Sequence, residues 1–69
     1  MTYQYNSTNV NIISTGDNLF FVNYVDGVRE TARWENLTHQ EAAIAAARFG
    51  QECASLFFVQ FGYGEWIAA

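Results

Sequence analysis

The residues that could carry chemistry in this 69-residue chain are few: one histidine, His39, one cysteine, Cys53, three arginines, no lysine and seven carboxylates. His39 falls in the first turn of an expected helix and Cys53 toward its far end. If that helix runs unbroken, they stand roughly 21 Å apart, too far for a nucleophile and its base. Nor do they form a metal site, because zinc and iron centres need clustered Cys and His at short fixed spacings. Glu30, Glu35 and Glu41 are spread over a hairpin and a helix start, with no sign of a shared cleft. The glycine-containing stretches at 14–18 and 61–65 lack phosphate-loop spacing, and neither is followed by lysine. The sequence therefore gives no ground for an enzyme or for a cofactor.

What remains is recognition, and it turns on aromatic residues and arginine. Residues 19–25 and 28–34 are β-rich runs joined by Asp26-Gly27, the signal for a two-residue hairpin whose central residues need positive φ. The register expected from that turn pairs Val25 with Val28, Asn23 with Glu30, Phe21 with Ala32 and Leu19 with Trp34. That face, with Leu19, Phe21, Val25, Val28, Ala32 and Trp34, is the natural core face. The opposite face sets Tyr24 beside Arg29, Val22 beside Thr31 and Phe20 beside Arg33. Ordinary cross-strand pairs on a solvated face would look the same, but aromatics and arginine are also the residues enriched at interface hot spots. Phe20, Tyr24, Arg29 and Arg33 are therefore candidate partner-binding residues.

The elements that position them follow from local signals. Residues 10–14 form a short strand, ended by turn residues at 15–18. Residues 1–9 read as an arm or an edge strand, with the arm favoured because termini fray unless tied down. Thr38-His39-Gln40-Glu41 is a capping box opening a helix. Alanines 42, 43, 45, 46 and 47 favour its continuation, and Gly50 is its natural stop, with 51–54 able to extend it. Ala42, Ala46, Phe49 and Cys53 form its apolar stripe, flanked by Ala45. The aromatic run at 56–67 reads as a last strand apolar on both faces, with Gly62-Tyr63-Gly64 marking a bulge or a close backbone approach. Tyr63 and Trp66 on this strand, with Glu65 between them in the run, join the candidate binding residues. The expected fold class is α+β: one domain over 1–69, an antiparallel sheet of three or four strands in β-β-β-α-β order, with one helix packed on one face.

Charge limits the partner. Seven carboxylates against three arginines give a net charge of −4, whereas nucleic-acid affinity comes mostly from clustered Lys and Arg. Direct DNA or RNA binding is disfavoured, even for an aromatic platform built on Phe20 and Tyr24. A protein partner with a basic surface is favoured, with Asp26, Glu30, Glu35 and Glu65 facing its cations. No apolar run is long enough to span a membrane and no signal-peptide pattern opens the chain, so a cytoplasmic location is expected. At 51% hydrophobic and 17% aromatic, a domain this small buries only about 60% of its unfolded surface and gains from a partner subunit, so a homodimer is expected.

The chain carries no recognisable family motif. Its profile, a short acidic chain rich in aromatics without a catalytic set, is similar to that of small phage-encoded inhibitors of bacterial defence systems such as anti-CRISPR proteins. That resemblance implies docking on a basic target surface and blocking what binds or moves there. The alternatives are a homodimeric module that holds a nucleotide-like ligand with Arg29 and Arg33, and a structural oligomerisation subunit.

Overall fold

The computed structural model describes residues 2–5 and 9–68. Four strands, β1 (Thr2–Tyr5), β2 (Val10–Gly16), β3 (Leu19–Asp26) and β4 (Arg29–Leu37), precede two helices, α1 (His39–Ala47) and α2 (Gln51–Gln60). The strands form one antiparallel sheet in the order β1-β2-β3-β4. The fold is α+β, as composition and patterning imply. Its chain order differs from the expected one: all four strands come first, and two helices rather than one follow.

The first correction concerns the N-terminus. Residues 2–5 are not a loose arm but an edge strand, paired from Thr2↔Ile13 to Tyr5↔Val10. Residues 1 and 6–8 of the expected arm lie outside the described residues.

The second correction concerns the hairpin. The two residues of its loop are Gly27 and Val28 rather than Asp26 and Gly27, with Asp26 paired to Arg29 and Val25 to Glu30. Gly27 takes φ +67° and Val28 stays at negative φ, the pattern of a loop whose first residue is glycine. A bulge then inserts Thr31, so that Tyr24 meets Ala32, Asn23 meets Arg33 and Val22 meets Trp34. One extra residue exchanges the two faces of a strand relative to its partner. Ala32 and Trp34 do face the core side, but their β3 companions are Phe20, Val22 and Tyr24, not Leu19, Phe21 and Val25. A second irregularity brings Phe20 opposite Leu37, with Asn36 at φ +56°.

The third correction is the largest. The run expected as a strand at 56–67 lies partly in α2 and partly in an irregular C-terminal segment. Cys53, Ala54, Phe57 and Phe58 are buried, and their spacing of one, three and four residues is helical. Gly62 does not mark a strand bulge. It ends α2 at φ +81°, with its amide donating to the Val59 carbonyl and the Tyr63 amide to the Phe58 carbonyl at 2.8 Å. Those two bonds are the Schellman pattern, and its usual apolar contact is present as Phe58 against Tyr63, rings 5.6 Å apart.

The helix start is as expected. Thr38 accepts from the Glu41 amide at 3.2 Å, and the Thr38 amide donates to the Glu41 carboxylate at 3.0 Å. Ala42, Ala43, Ala45 and Ala46 are buried, so α1 lies close on the sheet with no bulky side chain between. Gly50, at φ +138°, breaks the helix before α2. Both helices cover one sheet face, where Val10, Ile12, Phe20, Val22, Cys53, Phe57 and Phe58 form the core.

Candidate functional site

Two outward faces remain, and the predicted binding residues divide between them and the core. Phe20 is in the core, edge-on to Phe57 at 5.3 Å and to Phe61 at 5.6 Å. Tyr24 is half-buried on the same side, stacked on Phe49 at 4.6 Å. The bulge at Thr31 is the reason: the face expected to carry these rings outward is the face the helices cover.

The outer sheet face holds Arg33, whose guanidinium lies 4.7 Å from the Phe21 ring centroid rather than beside Phe20. Its Nε meets a Glu30 carboxylate oxygen at 3.2 Å, and its Nη1 meets Glu35 at 3.3 Å. Glu30 also accepts from the Asn23 side-chain amide at 2.8 Å. Asn23, Glu30, Arg33 and Glu35 thus form one lateral network across β3 and β4. Asp26 and Arg29 are exposed at the hairpin tip, beside a fully exposed Val28. Arg33 already has two carboxylates beside it, and their negative charge disfavours a phosphate there. Asn23 Oδ1 is, among the described residues, a buried side-chain oxygen without a hydrogen-bond partner.

The second face lies on the helical layer, and it gathers residues that strand-based patterning had scattered. Past Gly62 the chain folds back over the helices. Tyr63 stacks on His39 at 4.4 Å and meets the Phe58 ring. Trp66 packs edge-on against Phe58 at 5.4 Å and donates its indole N–H to the Gln51 side-chain oxygen at 3.0 Å. His39 is therefore part of an aromatic stack rather than an isolated group on a helix end.

Trp66 is the wall shared by two open clefts. One, of about 730 Å³, is lined by Ser55, Val59, Gly62, Gly64, Glu65 and Trp66. The other, of about 310 Å³, is lined by Ile44, Ala47, Arg48, Gln51, Trp66 and Ala68. Two of the apolar lining residues are well exposed, Val59 at 67% and Ile44 at 51%, and Leu56 and Ile67, neighbours in sequence of Ser55 and Trp66, are exposed as well. Glu65 lines one of these two clefts and Arg48 the other, where the Arg48 guanidinium also reaches within 6.0 Å of the Trp34 ring. Of the predicted residues, Glu65 and Trp66 line these clefts, and Tyr63 packs inward against the Phe58 ring that also backs Trp66. Ile44, Arg48 and Val59 were missed, although Glu52, Leu56 and Val59 have the spacing of an outward helical stripe.

Cys53 is wholly buried in the core. Among the described residues, no three His, Cys, Asp or Glu side chains converge as a metal site, and no helix is long and apolar enough to cross a membrane. No protein-family model matches the chain, and no curated protein or solved structure is significantly similar to it.

Proposed function

We propose that this protein is a non-enzymatic interaction module that docks a partner protein on the outer face of its helical layer, around Trp66. One observation carries the reading: Ile44, Val59 and Ala68 line two clefts that share a tryptophan already held by Gln51 and Phe58. Exposed apolar surface gathered in this way marks contact sites, whereas scattered exposed residues do not. A tryptophan at the centre of such a patch is a common hot-spot residue.

The finer reading is an inhibitor seated on a basic surface of a bacterial defence complex. Its support is the net charge of −4, the lack of lysine and the similarity of profile to small phage inhibitors. Not all of the acidic residues are equally placed for that role. Glu30 and Glu35 are engaged by Arg33, whereas Glu65 opens onto the cleft. Glu65→Lys should therefore weaken docking more than Glu30→Lys or Glu35→Lys.

Site-specific photo-crosslinking in the cells that make the protein tests the docking face. A crosslinker at Val59 or Ile67 should capture one discrete protein that a crosslinker at Arg33 or Thr31 does not. Capture from Arg33 alone would move the interface to the sheet. Capture of a second copy of this chain from Val59 would replace partner docking with self-association.

A further inference from the structure

The larger cleft beside Trp66 is built from three kinds of surface, and together they suit one chemistry. Val59 and the indole supply apolar walls, Glu65 supplies the charge, and Gly62 and Gly64 form a floor without side chains. Both glycines hold positive φ, and a Cβ at either would meet nothing within 4 Å, so the space beside them is open. The indole does not have to be ordered on binding, because the Gln51 hydrogen bond and the Phe58 edge contact already fix it.

We infer that this cleft receives an arginine side chain of the docked partner, its stem along Val59, its guanidinium against the Trp66 ring and its charge at the Glu65 carboxylate. The inference rests on the docking reading above. A cation over an indole face is drawn to the ring, and a long basic side chain lays its methylene stem on apolar surface while its head stays polar. Arginine suits the site better than lysine, because its planar head can stack on the indole and present paired donors to a carboxylate. Direction is set as well. Arg48 lines the other cleft that Trp66 shares, and it repels a cation there. The partner's arginine therefore has one seat, which fixes the register of the segment that carries it.

The test uses the intact chain, labelled with nitrogen-15, and two blocked tripeptide amides, acetyl-Leu-Arg-Leu and acetyl-Leu-Gln-Leu. The arginine peptide should shift the Trp66 indole N–H signal and the Gly62 and Gly64 amides, and should bind at least about tenfold more tightly than the glutamine peptide. Glu65→Gln, an isosteric change at an exposed position, should erase that difference while leaving the glutamine peptide as it was. Equal binding of the two peptides would overturn the inference and leave an apolar docking cleft standing. So would an arginine preference that survives Glu65→Gln, because the cation would then sit elsewhere. No shift at Trp66 with either peptide up to about 10 mM would also overturn it, while crosslinking from Val59 would still judge the docking face independently.

Discussion

The outer face of the sheet and the outer face of the helical layer are both part apolar and part charged, yet they treat their charges in opposite ways. On the sheet, Arg33 is closed in by Glu30 and Glu35 and lies on Phe21, while Glu30 also holds Asn23. Attraction there is spent within the chain. Glu30, Arg33 and Glu35 run along β4, an edge strand of the sheet, where charges and bulges discourage pairing with another strand. On the helical layer, Glu65 and Arg48 line separate clefts that share Trp66, and the apolar Val59 and Ile44 beside them are exposed. Two surfaces of similar composition therefore differ in what they leave for a partner. Residue types alone would rank the sheet higher, since it carries two of the three arginines.

The comparison depends on both faces being backed by one core, and the largest predicted effect tests that. Phe57 is completely buried and touches Phe20, Phe58, Phe61 and Tyr63. Phe57→Ala should destabilise the fold by about 3–5 kcal/mol, a large part of what a small domain has. Phe21→Ala, on the outer sheet face, should cost clearly less. Urea denaturation of both variants measures the gap. Equal losses would mean that the helices do not cover the face assigned to them.

How much of this was legible in the sequence depends on the range of the signal that each feature needs. The capping box at Thr38 and the break at Gly50 are local, and both stand as read. The hairpin was recognisable from Asp26-Gly27, but its faces were not. They depend on a bulge at Thr31, and nothing in the residues around Thr31 announces an extra residue. The mistaken last strand had a different cause. Aromatic and β-branched residues at 56–61 favour a strand by type, while Cys53, Ala54, Phe57 and Phe58 favour a helix by spacing. Spacing prevails because the sheet already has four strands and still needs cover over Phe20. Gly62 carried usable information, since glycine between an apolar C3 residue and an apolar C″ residue is a helix ending. The Trp66 site was half visible: its aromatic and acidic residues stood out, but its walls on α1 and α2 needed the two helices to be placed.

The helix ends come next in size. Gly62→Ala forces an L-residue to φ +81°, which costs about 1–2 kcal/mol. It should also disturb the segment that carries Glu65 and Trp66. Thr38→Ala removes one half of the capping box and should cost about 1 kcal/mol. Both can be read from chemical denaturation. The comparison sharpens if Gly62→Ala impairs docking while Thr38→Ala, at similar or smaller destabilisation, does not.

The two smallest effects separate the faces directly. Arg33→Gln removes two exposed ion pairs and leaves Glu30 and Glu35 without their shared cation. Such pairs contribute up to about 1 kcal/mol in total, and salt should shrink the difference from wild type. Val59→Ser should change stability by no more than about 0.5 kcal/mol, because two thirds of Val59 is already in water. For docking the ranking should reverse. Val59 forms a cleft wall, so removing its apolar surface weakens whatever sits against Trp66, whereas Arg33 has no contact there to lose. A Val59→Ser protein that melts as wild type and loses its crosslinked partner, beside an Arg33→Gln protein that keeps it, would separate the faces by function. The opposite pattern would return the binding surface to the sheet, and Trp66 would then be no more than the clasp that holds the C-terminal segment against α2.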